Sequence, residues 1–269
     1  MRVLLQQLPP LFARGASGVT AGLVFAIVAI ALGQSLRVPR PLIGRLVAAA
    51  GLNVFAWMGF GTIAMKSLNV AQCALLVYTM PIWAMLLAWP LLGQRPTSRG
   101  VAGLVLAIAG LCVLFGGSAL AFGAGQWSAA ALSLAAAVLF AIATVTLKPF
   151  AEIPPIALLA WQLTLGCLPM LVFGLAVEAP HVERVTATGW LLMLYMTAVP
   201  MGLCYLTWFG ALRRLPSSTA AIPTLLVPIL GVVAAAVTLG EPLGPREFAA
   251  LALVLGGVAL AMRRPDVQK

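Results

Sequence analysis

Long runs of apolar residues follow one another along this chain, separated by short segments that contain polar residues, proline or glycine. Each run is about 20 residues long, the length of a helix that crosses the hydrocarbon core of a bilayer. Inside lipid only a helix satisfies all of its own backbone polar groups, so every run is predicted to be helical. The nine predicted spans are residues 15–34, 42–64, 69–92, 99–121, 127–147, 155–177, 188–210, 217–239 and 245–262.

The pattern occurs twice. An offset of 147 residues relates Pro81 to Pro228, Gly93 to Gly240, Arg99 to Arg246 and Gly110 to Gly257. Each copy has an apolar segment with a proline inside, a turn with glycine, and a second apolar segment. Because an odd number of spans separates equivalent positions, the copies are predicted to cross the membrane in opposite directions. Inverted repeats with proline-interrupted helices are typical of membrane transporters.

The repeat divides the chain into a first half, residues 1–122, with four predicted spans and a second half, residues 123–269, with five. The counterpart of the span at 127–147 would lie before residue 1. At the same edge, Leu8-Pro9-Pro10-Leu11 matches Ile153-Pro154-Pro155-Ile156. We therefore expect the first helix of a ten-helix bundle to be absent from this chain. A natural nine-helix protein is the alternative.

Composition excludes an ordinary soluble domain, because 62% of the residues are hydrophobic, 8% are charged, and the mean hydropathy is +1.09. The net charge of +10 is interpreted as topology and not as a sign of nucleic-acid binding. Eleven of the 16 Lys and Arg residues fall on one side of the nine-span arrangement, which places that side in the cytoplasm. The expected protein is a multi-pass protein of the inner (plasma) membrane with a cytoplasmic C-terminus.

Several short motifs occur in the same order along the two halves. They are Pro9-Pro10-Leu11-Phe12-Ala13-Arg14, Tyr78-Thr79-Met80-Pro81, Leu92-Gly93-Gln94-Arg95, Trp161-Gln162, Leu225-Leu226-Val227-Pro228 and Leu239-Gly240-Glu241-Pro242. With them the chain resembles the drug/metabolite transporter superfamily, specifically its EamA-like permeases. The resemblance implies ten helices in two inverted five-helix repeats, and movement of small organic solutes, often outward. Two departures from the family are expected: the first helix is absent, and Gln94 stands where Glu is common.

Polar and aromatic side chains inside spans are the candidate solute ligands, because such groups are costly in lipid unless they face a cavity or each other. Amides can donate and accept hydrogen bonds, and aromatic rings can stack on a solute. The candidates are Asn53, Trp57, Gln72, Tyr78, Thr79, Trp161, Gln162, Tyr205, Trp208 and Thr224. For the threonines the alternative is a hydroxyl bonded to its own helix backbone.

Pro81 and Pro228 are the candidate hinges, since a proline within a helix removes a backbone hydrogen bond. A static kink is the alternative. Arg14 is expected to extend its charge outward to the interface. The other interpretation is that Arg14 supplies positive potential at the external mouth of a cavity.

Catalytic, metal and cofactor sites are not expected. Cys73, Cys112, Cys167 and Cys204 lie within predicted spans without metal-ligand spacing. His181 is expected in a solvated surface cluster with Glu178 and Glu183, and no Asp or Glu lies deep within a span. A proton relay built on a buried carboxylate is therefore not supported.

The sequence thus predicts a permease for small metabolites, with amino acids or related solutes favoured, that exports by alternating access between its two halves. A non-transporting membrane scaffold or receptor, and an intramembrane enzyme, are the alternatives. The expected partners are a small-molecule solute and membrane lipid, without nucleic acid. Gly18 and Gly22 form a pair of small residues spaced for helix packing within the bundle, with a homodimer as the alternative.

Overall fold

Every regular element in the described part of the chain is a helix in the computed structural model. The described residues are 7–68, 70–115, 123, 125–147, 150, 152–214, 226–227, 230 and 244–262. The helices are α1 (Pro10–Ala31), α2 (Arg40–Ala64), α3 (Val70–Val77), α4 (Met80–Leu92), α5 (Ser98–Phe115), α6 (Trp127–Thr146), α7 (Pro155–Val177), α8 (Ala187–Met196, continued by Thr197–Leu203 and Cys204–Arg214) and α9 (Pro245–Met262). A short 3-10 turn at Val182–Arg184 precedes α8. The all-α class predicted from the sequence is confirmed for these residues.

Within the described residues, five helices are long and apolar enough to cross a membrane: α1, α2, α6, α7 and the Ala187–Trp208 part of α8. Shorter apolar stretches occur in α4, α5 and α9. Large apolar side chains such as Ile27, Val177 and Leu191 are exposed on these helices, as expected for surfaces that contact lipid. The predicted span at 217–239 lies outside the described residues except for 226, 227 and 230. The total of nine spans therefore stays a prediction.

The predicted span at 69–92 differs from expectation, because it is divided into α3 and α4 at Tyr78 and Thr79. Pro81 has no N–H group to bond the carbonyl four residues earlier, and its ring would collide with that turn of a continuous helix. In the first turn of a new helix a proline needs no such donor, and Pro81 lies there. The Thr79 hydroxyl donates to the Leu76 carbonyl at 2.6 Å and accepts from the Trp83 indole at 3.2 Å. Pro81 is thus at the start of α4 and not inside a longer helix, and Pro228 lies outside the described residues.

The chain forms two compact units, each built from segments that are distant in sequence. Unit 1 comprises residues 1–63 and 147–214, and unit 2 comprises residues 64–146 and 215–269. Each unit draws on both halves of the predicted repeat. The boundary between residues 122 and 123 describes the order of the repeat along the chain and stays a prediction.

In unit 1, α1 packs closely against α7 through glycines. Gly15 meets the backbone of Leu171, Gly18 meets Cys167, and Gly22 meets the backbone and side chain of Thr164. The order of these contacts makes the two helices antiparallel. Gly18 and Gly22, the predicted packing pair, therefore serve contacts inside unit 1, where only a hydrogen in place of a side chain lets the backbones approach.

A carboxylate from the end of α7 caps the N-terminus of α1. Helix α1 begins after Pro9, whose side chain cannot cap it, so the first N–H groups need partners from elsewhere. Glu178 Oε2 accepts hydrogen bonds from the backbone N–H groups of Leu11 and Phe12, both at 3.0 Å. A negative charge is also favoured by the positive end of the helix dipole.

In unit 2, α5 and α9 pack antiparallel through two glycines that the sequence repeat makes equivalent. Gly110 of α5 meets Ala250, Leu253 and Val254 of α9. In return, Gly257 of α9 meets Gly103 and Ala107 of α5. At one end of the pair, Arg246 Nε donates to the carbonyl of Val113 at 2.8 Å. A cation at the C-terminal carbonyls of α5 is favoured by the helix dipole.

We expect Gly257→Ala to destabilise unit 2 by about 1–3 kcal/mol, because its methyl group would collide with the backbone of α5. Gly256→Ala is the matched control, since a Cβ at the neighbouring Gly256 meets no atom within 4 Å. Thermal unfolding of the two purified variants in the same detergent checks the difference. Equal unfolding midpoints would contradict the close packing of α5 and α9.

We expect Glu178→Ala to destabilise the protein by about 1–2 kcal/mol, because two N–H groups of α1 lose their acceptor. Glu178→Gln keeps an acceptor oxygen and should lose less. Glu183→Ala removes an exposed carboxylate nearby and should have little effect. Thermal unfolding in detergent compares the three, and a Glu183 effect as large as that of Glu178 would rule out the capping role.

Candidate solute-binding site

Two amide side chains are almost completely buried in unit 1. Asn53 of α2 is 5% exposed and Gln162 of α7 is 1% exposed. Neither Asn53 Oδ1 nor Gln162 Oε1 accepts a hydrogen bond from any residue that the structure describes. A buried carbonyl oxygen without a donor costs about 1–3 kcal/mol. Both oxygens are therefore strong candidates to accept a hydrogen bond from a solute.

Close contact between α2 and α7 brings the two amides to adjoining levels. Gly166 of α7 meets the Ala50 carbonyl and the Val54 side chain of α2. Asn53 is the residue before Val54, and Gln162 is one helical turn before Gly166. The glycine lets the two backbones approach, and both amides lie within one turn of that contact.

The middle of α2 is π-helical, from Gly51 to Phe60. In a π-helix the backbone hydrogen bonds join residues five apart, which widens the helix, and such stretches are frequent at functional sites. A second π-helical stretch occupies Thr197–Leu203 in α8 and contains Pro200. The wider turn accommodates a proline that would otherwise interrupt a regular α-helix. Both stretches belong to unit 1.

Three aromatic candidates lie on the same two helices. The hydroxyl of Tyr205, just after the π-helical stretch of α8, donates to the backbone carbonyl of Asn53 at 3.5 Å. Trp57 packs against the apolar cluster that includes Val54, Leu163 and Tyr205. Trp208 is half-buried, three residues after Tyr205 and so on the same face of α8. The structure therefore groups Asn53, Trp57, Gln162 and Tyr205 in unit 1, with Trp208 close by along α8.

Trp161 belongs to a different surrounding from its neighbour Gln162. The Trp161 indole donates to the Leu36 carbonyl at 2.9 Å, in the loop between α1 and α2. Its ring packs with the cluster that contains Phe150 and Ile153. The contacts of Trp161 thus hold the loop between α1 and α2 in place, so this predicted solute ligand has a structural role.

The remaining candidates lie in unit 2 or outside the described residues. Gln72 of α3 is buried, and Tyr78 packs against the cluster of α5 and α9 that includes Leu111. Thr79 bonds the backbone of Leu76, as the alternative for threonine hydroxyls anticipated. Thr224 lies outside the described residues.

Arg14 is the charged residue that the sequence analysis left out of the candidate set. It lies in the second turn of α1, is only partly exposed, and its Nη1 is 3.4 Å from the sulfur of the buried Met58. Cys167 and Tyr205 are electrostatic neighbours of its guanidinium. The side chain therefore points into unit 1, in contrast to the expected outward extension. The available signal was Pro10, which starts the helix early enough to place Arg14 within it.

Metal-site geometry is absent from the described part of the chain, where no three His, Cys, Asp or Glu side chains come together. His181 and Glu183 are exposed, as a surface cluster would require. Glu178 was expected to join them, but its carboxylate binds the N-terminus of α1 instead. Its position at the end of α7, which is antiparallel to α1, is the reason.

Comparison with known proteins identifies the family and the fold. The model of the EamA-like transporter family matches residues 1–116 and 127–263. A solved crystal structure with 23% sequence identity has the same fold, with a TM-score of 0.82 over 97% of this chain and 90% of its own. Nearly the whole chain is therefore covered by both comparisons.

Curated relatives cover similar lengths. "Uncharacterized transporter YvbV" of Bacillus subtilis (strain 168) is 28% identical over 97% of this chain and 85% of the relative. The "Probable amino-acid metabolite efflux pump" of Salmonella typhimurium is 30% identical over 96% of this chain and 87% of the relative. The "Probable terminal-alkyne amino-acid exporter" of Streptantibioticus cattleyicolor is 30% identical over 91% of this chain and 81% of the relative. The chain belongs to the EamA-like transporter family of the drug/metabolite transporter superfamily, and it is a multi-pass membrane permease for small metabolites rather than an enzyme.

Proposed function

We propose that this permease exports neutral amino acids or related small organic solutes by alternating access between two inverted halves. Two relatives carry the names of an amino-acid metabolite efflux pump and an amino-acid exporter, which supports both the solute class and the outward direction. The excess of Lys and Arg on one side supports an inner (plasma) membrane orientation with the C-terminus in the cytoplasm.

The observation that carries the proposal is the pair of buried amides in unit 1. An unsatisfied carbonyl oxygen inside a span is costly, so a transporter that places two of them among aromatic side chains has groups ready to receive a polar solute. Asn53 and Gln162 accept hydrogen bonds from the solute, while Trp57, Tyr205 and Trp208 contact its apolar part. A purely structural scaffold would have no use for these unsatisfied oxygens, and this favours the permease over that alternative.

Three correspondences support the inverted repeat. Helices α1 and α7 each begin at the second proline of a Pro-Pro pair, at Pro10 and Pro155. The π-helical stretches of α2 and α8 begin at Gly51 and Thr197, within one residue of the sequence offset. The contacts of α5 and α9 are reciprocal. Gly110 of α5 and Gly257 of α9 are equivalent in the repeat, and each contacts the other helix at equivalent positions. Antiparallel packing of equivalent helices is what two inverted copies require.

The hinge proposed at Pro81 and Pro228 is placed, for Pro81, at the turn just before it. The interruption at Tyr78 and Thr79 leaves α3 and α4 as separate short helices within one predicted span. Discontinuous spanning helices of this kind are common around transporter binding sites. The turn between α3 and α4 is where bending would occur, with Pro228 as its proposed counterpart.

Solute counterflow into proteoliposomes tests the function, with leucine, threonine and tryptophan as probes. Gln162→Met removes the amide at similar volume and should reduce the rate by about tenfold or more, because a hydrogen bond to the solute is lost. Thr144→Val is the control, since this buried hydroxyl bonds the carbonyl of Phe140 in its own helix. Full activity of Gln162→Met would exclude the proposed site. Binding of these probes without any flux in the wild type would favour a receptor, and chemical conversion without flux would favour the intramembrane enzyme.

Single-cysteine labelling tests the inverted arrangement. In a background with Cys73, Cys112, Cys167 and Cys204 replaced by Ser, we expect a membrane-impermeant maleimide to label Pro245→Cys in intact cells. Gln94→Cys should be labelled only after lysis, because the repeat places the two turns on opposite sides of the membrane. Both positions are at exposed sites, so access alone does not distinguish them. Labelling of both from the same side would contradict the inverted repeat.

A further inference from the structure

The guanidinium of Arg14 contacts α2, the helix that carries the buried amide of Asn53. Arg14 reaches Met58 of α2, and Asn53 is on that same helix five residues earlier. Both residues lie in the π-helical stretch, where backbone hydrogen bonds join residues five apart. Asn53 and Met58 are therefore stacked on one face of α2, roughly 5 Å apart along its axis, the length of one helical turn.

In a regular α-helix, Asn53 and Met58 would point to different sides of the helix, because five residues correspond to well over one turn of 3.6 residues. The π-helical stretch of α2 is thus what aligns the contact point of Arg14 with Asn53. Tyr205 also belongs to this segment, since its hydroxyl bonds the backbone of Asn53 at 3.5 Å and interacts electrostatically with Arg14.

The chemistry at the two ends of this segment is complementary. Arg14 carries only donors and a permanent positive charge, arranged in a planar fork that matches a carboxylate. At the other end, Asn53 Oδ1 is an acceptor without a donor among the described residues. A charged residue within a span marks a functional site by default. A solute that fits both ends has a carboxylate and an N–H group separated by about one helical turn or less.

We infer that Arg14 binds the carboxylate of a zwitterionic α-amino acid, while the amide oxygen of Asn53 accepts a hydrogen bond from its ammonium group. This inference rests on the proposed function and names the group of the protein that selects acids over their neutral derivatives. Arg14 is then the specificity-determining residue of the site, and Trp57 and Trp208 contact the amino-acid side chain.

The test compares leucine, threonine and tryptophan with their carboxamides, which lack the carboxylate but keep the amine and the side chain. Counterflow is measured in proteoliposomes with the wild type, Arg14→Gln, Arg14→Lys and Arg37→Gln. Arg37 is exposed in the loop after α1, so its variant removes the same charge from the same unit away from the site. Thermal unfolding of each variant is measured in parallel.

The wild type should prefer the acids, and Arg14→Gln should raise the KM for them by about ten- to a hundredfold, the range of a charge-assisted hydrogen bond. The KM for the carboxamides should change by less than about threefold, with Arg14→Lys intermediate and Arg37→Gln like the wild type. A wild type that moves acids and carboxamides equally well would overturn the inference, even if Arg14→Gln fails to fold. A wild type that moves none of these solutes would instead overturn the proposed function.

Discussion

Lipid offers no hydrogen-bond partners, so polar groups along the spans and at their ends are expected to bond within the protein. Where α3 ends, the Thr79 hydroxyl bonds the carbonyl of Leu76, which a continuing helix would otherwise bond. Where α1 begins, a carboxylate from another helix satisfies its first N–H groups. The Trp161 indole bonds a loop carbonyl for the same reason. The amide oxygens of Asn53 and Gln162, by contrast, are among the few buried polar atoms that have no hydrogen-bond partner in the described part of the chain.

The length of the apolar runs predicted the helices well where nothing else determines where a helix begins and ends. The segments expected at 127–147, 155–177 and 245–262 agree with α6, α7 and α9 to within a residue at each end. The prediction failed where one residue changes the backbone locally. Pro81 divides a span, because its effect depends on whether a new helix can begin there, and hydropathy contains no such information.

The candidate site was predictable only in part. Asn53 and Gln162 could be named because amides inside apolar runs are conspicuous, and their burial follows from their neighbours. The orientation of Arg14 depends on the packing of α1 against α7, and the capping by Glu178 joins residues 167 positions apart. The π-helical stretches have no established residue pattern, so the alignment of Asn53 with Met58 could be recognised only in three dimensions.

The division of unit 1 between two distant segments affects how the protein is made. Residues 1–63 find their partners, α7 and α8, only after residues 64–146 have been synthesised. At about 5–20 residues per second, several seconds pass on the ribosome before α7 reaches the bilayer. Until then the glycine face of α1 is without its neighbour and is exposed to lipid or to the insertion machinery. The early helices must therefore be stable in the membrane on their own before unit 1 can assemble.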